Sequence, residues 1–244
     1  MENLFNIDLL NKRRIRANRL GFEGLIHKLS ADDLGVRLTE TSKNFKKKLL
    51  IGPFLEDWAT VFKNQGFERS SDRDNLNLEK GYDLIVHCLC LHWSNDPLGQ
   101  LIQIRKVLNP GGLLIGYLFG ENTLKELRKS FGDAEIELEG SLSSRVAPMT
   151  ELKAIGDLVS RAGLEKAVSD LISHKISYKS LNSLFSDLRR MGETNVVLNQ
   201  NKNFLRRKTF EKMCLNYKLN FSNIGGNFIA SFDVICFTGW KKLS

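Results

Sequence analysis

The feature that most constrains the fold is a long apolar segment at residues 82–91, followed at once by the polar and aromatic residues 92–97. Apolar runs of this kind are typical of strands buried on both faces of a parallel sheet. A basic amphipathic helix is predicted at 98–108, then a turn at 109–112 and a second buried strand at 112–119. Ligands bind at the carboxyl edge of such sheets, so this unit predicts an α/β protein with a ligand site near residues 92–97.

The segments on either side of this unit predict more strands of the same sheet. They lie at residues 46–51, 66–71, 171–178 and 228–240. The last segment alternates as an antiparallel strand at or near a sheet edge would. A helix is expected at 54–65 and a loop at 73–80. We therefore predict a doubly wound, mostly parallel, Rossmann-like sheet that ends in one antiparallel strand.

The first 45 residues predict a separate helical element. Ile15, Phe22, Ile26 and Leu29 recur at helical spacing, while the arginines among them occupy mostly other directions. We expect an N-terminal helical lid at residues 1–45 and an α/β domain at 46–244. Further along the chain, Thr123 and Glu126 have the spacing of a capping box, which predicts a helix start.

The net charge of +8 raises the question of an anionic partner. The basic residues form three local groups, at Lys12, Arg13, Arg14, Arg16 and Arg19, at Lys43, Lys46, Lys47 and Lys48, and at Arg206, Arg207 and Lys208. None of these groups is interleaved with aromatic residues or lies in a nucleic-acid-binding motif, so solvated helix faces are favoured over a nucleic-acid surface. An acidic protein or carrier partner explains the charge equally well.

The four cysteines do not have the spacing of metal ligands, so no metal site is predicted. Buried thiols in a reducing compartment are the simpler interpretation. No apolar stretch approaches the about 20 residues that a membrane-spanning helix needs, and the first residues lack the apolar core of a signal peptide. We expect a cytoplasmic protein without a membrane span.

Several strings carry a family resemblance. They are LHWSNDP at 91–97, QIRKVLNPGG at 103–112, LFGENTLKELR at 118–128, RVAP at 145–148, RAG at 161–163, DLRRMGETN at 187–195, GW at 239–240 and the opening LLNKRRIRA at 9–17. In these strings the chain resembles the class I S-adenosylmethionine (SAM) methyltransferases. The similarity is to the branch that contains the malonyl-carrier O-methyltransferase of biotin synthesis and the methyltransferase-like assembly factor of respiratory complex I.

The resemblance implies a SAM site at the carboxyl edge of the sheet, formed by Gly52, Asp72, His92 and Trp93. Relatives carry a glycine-rich turn after the first strand and an acidic residue after the second, for reasons that parallel dinucleotide binding. Here the turn has one glycine, and Pro53 removes an N–H donor. The interval between the first strand and residue 82 is also shorter than in relatives and lacks about one strand–helix unit, since a crossover usually needs about a dozen residues or more. His92 and Trp93 could line the pocket or cap the core.

The resemblance also implies a substrate cover in insertions around 132–150 and 179–220. Arg145, Arg189 and Asn195 lie there and could bind a carboxylate or phosphate, or form salt bridges and loop clamps. The implied activities are methyl transfer to an oxygen or nitrogen of a small carrier-bound acid or a protein, and hydroxylation of a protein arginine. No catalytic residue is assigned. The alternative is a catalytically inactive scaffold or assembly factor, for example one that binds an acidic carrier or a respiratory-complex subunit.

Overall fold

A computed structural model describes residues 3–198 and 205–243. The chain divides into two compact units. The sheet unit joins Gly24–Gly120, Thr150–Ile172 and Val234–Ser244, and the helical unit joins Met1–Glu23, Glu121–Met149 and Ser173–Asp233. Residues 199–204 of the predicted insertion 179–220 lie outside the described residues, as do residues 1, 2 and 244. None of the described helices is long and apolar enough to cross a membrane.

The described strands form one six-stranded sheet, in the order β2-β1-β3-β4-β6-β5. Their bounds are β1 Lys48–Ile51, β2 Phe67–Ser70, β3 Tyr82–His87, β4 Leu108–Phe119, β5 Glu165–Tyr178 and β6 Phe228–Trp240. Strands β1 to β4 pair in parallel, and β6 pairs antiparallel with β4. The predicted mostly parallel sheet with a final antiparallel strand is confirmed.

The helices alternate with these strands along most of the chain. Their bounds are α1 Ile7–Arg19, α2 Leu25–Glu40, α3 Glu56–Thr60, α4 Pro97–Val107, α5 Lys125–Glu139, α6 Leu152–Arg161, α7 Leu181–Arg190 and α8 Arg207–Phe221. Helix α3 is shorter than the predicted 54–65, because Lys63 and Asn64 have left-handed φ values of 52° and 57°. Residues 71–81 contain no helix or strand, which agrees with the predicted loop.

The main core of the sheet unit lies between the sheet and helices α4 and α6. Ile85 and Leu114 from the strands meet Leu101 and Ile104 of α4 and Val159 of α6, and all five side chains are buried. Burial of an aliphatic side chain of this size stabilises a fold by about 1.5–3 kcal/mol. This layer holds β3 and β4 in place and thereby positions the loops at their carboxyl ends.

The prediction of which residues of the first helix are buried is wrong. Ile15 is 53% exposed, whereas Leu10, Arg14 and Ala17 of α1 are buried. The chain leaves the helix at Leu20, and Gly21 has a positive φ of 76°, so α1 and α2 are separate helices. Helix α1 belongs to the helical unit and α2 to the sheet unit.

Two boundaries in the central unit also differ from the prediction. The strand predicted at 82–91 ends at His87, because Leu89 adopts a left-handed φ of 53° and the chain turns into a short 3-10 helix at Leu91–Trp93. Strand β4 begins at Leu108, so the predicted turn at 109–112 lies within the strand, where the register with β3 shifts.

The predicted capping box at Thr123 and Glu126 is also wrong. The residue before α5 is Leu124, with φ 56°, and no side chain caps the helix. The Thr123 hydroxyl instead donates to the Asp233 carbonyl at 2.9 Å and accepts from the Asp233 N–H at 3.1 Å. Glu126 accepts from the Ser231 N–H and hydroxyl, at 3.0 and 2.5 Å. Both side chains therefore join α5 to β6 within the helical unit.

Candidate functional site

The parallel strands of the sheet unit bring their carboxyl ends to one edge. Ile51 at the end of β1 is level with Ser70 at the end of β2 and with His87 at the end of β3. The residues that follow, including Gly52 and Asp72, therefore leave the sheet side by side. This is the edge at which ligands bind in open α/β sheets.

Gly52 is in close contact with the residues that follow β3. Its φ of 146° favours glycine, and an added Cβ would lie 3.0 Å from the Cys88 carbonyl oxygen and 3.1 Å from the Cys90 Sγ. Its N–H donates to the Ser70 carbonyl at 3.0 Å. The space beside this glycine is thus filled by protein, and its donor is used within the sheet.

The rest of this turn packs into the protein. Phe54 has a left-handed φ of 52° and is buried, with its ring meeting His27 edge-on at 6.0 Å. The buried Trp58 donates from Nε1 to His27 Nδ1 at 3.1 Å. Residues of α2 and α3 therefore anchor the turn after β1.

Acidic side chains lie at the end of β2. Asp72 is partly exposed, and its backbone carbonyl accepts from the Gln100 amide at 3.1 Å. The Asp74 carboxylate accepts from the Ser94 hydroxyl at 2.6 Å and from the Gln100 amide at 3.4 Å. Asp74 was missed in the sequence because it lies in a polar loop without periodicity, and only the sheet topology reveals its neighbours.

A buried hydrogen-bonded chain continues from Gln100 into β3. Gln100 Oε1 lies 3.1 Å from His87 Nε2, and His87 Nδ1 lies 3.4 Å from Cys90 Sγ. Because the Gln100 amide nitrogen donates to Asp72, its oxygen accepts from His87, which assigns the Nε2–H tautomer and leaves Nδ1 as an acceptor. The Cys90 thiol lies between this nitrogen and the Ile51 carbonyl, which is 3.7 Å from Sγ. Burial raises the pKa of the neighbouring Cys88 thiol, and the Asp72 charge adds to this effect.

His92 and Trp93 lie in the 3-10 helix after β3 rather than at the end of the strand. Both are buried, their ring centroids are 5.1 Å apart, and His92 is also 5.1 Å from Phe119. This aromatic cluster matches the core-capping alternative. The Asp96 side chain accepts from the Gly99 N–H at 2.8 Å with Pro97 at the first helical position, so Asp96 caps the start of α4.

The helical unit brings together two of the three predicted substrate residues. Arg145 Nε donates to the Glu135 carboxylate at 2.8 Å, and the Asn195 amide donates to the carbonyls of Ser144 and Arg145. Arg13 donates to the Asn195 carbonyl. Arg189 is exposed, and its guanidinium has no partner among the described residues. Arg145 and Asn195 thus act as loop clamps in this conformation, and Arg189 lies apart from them.

Glu135 holds this clamp as an ionised carboxylate. Its side chain is almost fully buried and also accepts from the backbone N–H and the hydroxyl of Ser143. Burial alone would raise the pKa of Glu135, but the hydrogen bonds from Ser143 and Arg145 outweigh it and hold the pKa below its ordinary value. A cavity of about 290 Å³, lined by Arg145 together with Arg128 and Phe131, lies beside the loop.

Among the described residues, no three His, Cys, Asp or Glu side chains come close enough to bind a metal ion. The four cysteines are free thiols. The charged groups at the carboxyl edge and in the clamp are therefore organised by hydrogen bonds and ion pairs.

Comparisons with known proteins identify the fold and the relatives. No protein-family model matches the chain. Arginine-hydroxylase NDUFAF5 of Danio rerio, named as mitochondrial, is 36% identical over 163 residues, which are 67% of this chain and 50% of that protein. Malonyl-acyl-carrier-protein O-methyltransferase 1 of Coxiella burnetii is 30% identical over 157 residues, 64% of this chain and 52% of the relative. The structure of a candidate methyltransferase from Bacillus halodurans matches with a TM-score of 0.53 at 12% identity, covering 86% of this chain and 98% of that one.

The chain is similar in sequence to NDUFAF5 and to a malonyl-acyl-carrier-protein O-methyltransferase, and it has the fold of the class I methyltransferases. The likeness to the Bacillus halodurans structure shows the fold alone, because the sequence identity is low. The chain spans about half the length of the curated relatives it matches.

The turn after β1 does not fit the methyl donor of this superfamily in the present conformation. The Gly52 N–H is bonded to Ser70, Pro53 has no N–H, and the space beside Gly52 is occupied by Cys88 and Cys90. Asp72, which the resemblance assigns to the ribose, is partly exposed. This methyltransferase-fold chain thus has the sheet edge of the superfamily without an open glycine turn.

Proposed function

We propose that this chain is a methyltransferase-fold assembly or docking protein that binds an acidic protein partner without dependence on SAM. The observation that carries the proposal is that protein fills the space beside Gly52. In the loop after β3 (the β3 loop), the Cys88 carbonyl and the Cys90 thiol are already in contact with the position of an added Cβ. A ligand cannot approach the backbone there unless this loop moves.

The partner is proposed from charge and from the relatives. The chain carries eight excess positive charges, which favours association with acidic surfaces. NDUFAF5 is named for hydroxylation of arginine, and the other relative is named for an acyl-carrier protein. The exposed Arg189 is our candidate contact residue, and an acidic carrier or a respiratory-complex subunit is the partner class.

The second candidate function is a SAM-dependent enzyme. Two observations favour it, namely the named activity of the Coxiella burnetii relative and the exposure of Asp72 at the end of β2. In this case Gly52, Asp72, His92 and Trp93 would contact the cofactor after the β3 loop moves. The substrate would be a carrier-bound acid, or a protein arginine if the activity is hydroxylation.

Calorimetric titration with SAM and S-adenosylhomocysteine separates the two functions. We expect no heat and no change in melting temperature at millimolar ligand. Micromolar binding would overturn the proposal, since ligand at about 100 times Kd would raise the melting temperature by about 5–10 °C. The double variant Pro53→Gly and Phe54→Gly should gain affinity if this turn is the defect, and Gly140→Ala, in a turn far along the sequence, serves as the control.

Partner binding requires a separate measurement. An acidic acyl-carrier protein should bind the intact chain with an affinity that falls steeply as salt rises. Arg189→Gln should weaken binding, whereas Arg207→Gln should not, because Arg207 is already paired with Glu211 at 2.8 Å. Equal affinities for both variants and the natural chain would argue against the proposed contact residue.

A further inference from the structure

A second cavity lies at the opposite edge of the sheet from the candidate site. It has a volume of about 390 Å³ and is lined by Lys43, Lys166, Lys241, Lys242, Trp240 and Glu165, with Gly111 and Leu243. Strands β4 and β5 begin at this edge and β6 ends there, since Trp240 pairs with Leu113. All of these residues belong to the sheet unit.

The lysines of this cleft are not neutralised by ion pairs. Lys43 donates to the Gly111 carbonyl, and Lys241 donates to the carbonyls of Leu108 and Lys106 at 2.6 and 3.3 Å. These acceptors are uncharged, and none of the four lysines forms an ion pair with a residue in the described part of the chain. Glu165 supplies one negative charge, so the residues that line the cleft carry a net charge of +3.

One neighbouring carboxylate, Asp83, reduces this imbalance without removing it. Asp83 of β3 accepts hydrogen bonds from Asn109 and from the backbone N–H groups of Lys46 and Lys47, which lower its pKa, and its negative charge also interacts with Lys43. Some lysines outside the cleft are paired directly with carboxylates. For example, Lys129 lies 3.0 Å from Asp133 and Lys212 lies 2.7 Å from Glu137. The cleft is distinguished by four lysines that line one cavity without a direct ion pair among the described residues.

We propose that the cleft binds a small phosphate-bearing molecule with at least two negative charges, such as the diphosphate of a nucleotide. Its volume lies in the range of about 300–1,000 Å³ that small-molecule sites occupy. Ammonium groups bind phosphate oxygens as mobile point charges, so several lysines can serve one polyanion. The partly buried Trp240 ring, with Lys43 Nζ 5.7 Å from its centroid, offers an aromatic wall for a planar base.

Tryptophan fluorescence tests the proposal directly. Of the three tryptophans, Trp58 and Trp93 are 0% and 2% exposed, whereas Trp240 lines the cleft. Titration of the full chain with ADP should change the fluorescence, and Trp240→Phe should abolish this change. Inorganic pyrophosphate should bind in parallel calorimetric titrations, and its affinity should fall with salt. Failure of both ligands to bind at millimolar concentration would overturn the proposal.

Charge variants distinguish a specific phosphate site in the cleft from non-specific attraction of anions to a positively charged protein. Lys43→Gln with Lys242→Gln should weaken pyrophosphate binding by about tenfold or more, since each removes a charge-assisted contact. Lys129→Gln with Lys212→Gln makes the same change in net charge and should leave the affinity unchanged. Lys242→Gln alone, at an exposed side chain, keeps the test valid if the first variant is unstable. Equal losses in both pairs, or binding of oligonucleotides but not of pyrophosphate, would contradict a small-molecule site.

Discussion

Replacement of Gly52 by alanine tests whether protein fills the space at the candidate cofactor turn. The added methyl group would lie 3.0 Å from the Cys88 carbonyl oxygen, 3.1 Å from Cys90 Sγ and 3.2 Å from Cys88 Cβ. At these distances the neighbours must move by a few tenths of an ångström. The carbonyl belongs to the backbone of the β3 loop, which the buried His87 and Cys90 hold in place.

The expected loss of stability has two parts. A non-glycine residue at a φ of 146° costs about 1–3 kcal/mol in backbone strain. Overpacking against the Cys88 backbone and Cys90 adds about 1–3 kcal/mol. Gly52→Ala should therefore lower the free energy of unfolding by about 2–6 kcal/mol. This is a large fraction of the about 5–15 kcal/mol that keeps a typical domain folded.

Urea denaturation measures this loss, and Gly140→Ala is the matched control. Gly140 also has a positive φ, of 66°, but an added Cβ there would meet nothing within 4 Å. The control should lose only about 1–2 kcal/mol, the cost of a left-handed conformation. If Gly52→Ala is no more destabilising than Gly140→Ala, at unchanged m-values, the space beside Gly52 is open and the argument against cofactor binding fails.

Two further predictions concern the helical unit. Glu135→Gln should cost about 3–5 kcal/mol at neutral pH, because it leaves Arg145 without its buried partner. The pKa of Glu135 is lower in the folded than in the unfolded chain, so this stability is present above the ordinary pKa of 4.5 and is lost as the pH falls through the folded-state pKa. The two proteins should therefore converge in acid urea titrations, and a constant difference would refute the ionised pair. Thr123→Ala should lower the free energy of unfolding by about 1–3 kcal/mol, because both backbone groups of Asp233 lose their partner. Thr123→Ser keeps the hydroxyl and should lose less. Equal losses for the two variants would show that the hydroxyl is unimportant.

The strands could be predicted from the sequence where burial alone determines the pattern. Segments such as Tyr82–His87 and Phe228–Trp240 are continuous or alternating apolar runs, and the sheet buries them as predicted. Local rules failed where a distant residue competed with them. Thr123 has the spacing of a cap, but its hydroxyl binds Asp233, 110 positions along the chain. No local pattern contains that contact.

The same distinction explains the outcome at the candidate sites. The sequence identified Gly52 and Asp72 because they follow strands, and the topology does bring them to one edge. The sequence did not identify the series of hydrogen bonds from Asp74 through Gln100 to His87, because those residues come from a loop, a helix and a strand. Polar residues of unrelated segments become neighbours only when the sheet order is known.

The distribution of the resemblance strengthens the proposal of a docking role. Arg13, Arg145 and Asn195 come from three separate strings that resemble the complex I assembly factor's relatives, and the helical unit joins them through Asn195. At the carboxyl edge, the turn that would hold the cofactor departs from the family pattern, and its glycine contacts Cys88 and Cys90. A protein that is under selection for SAM-dependent catalysis needs its cofactor-binding turn at least as much as the segments that are expected to cover the substrate. A chain in which these strings remain in contact while the turn is altered is better explained by a function that depends on the strings.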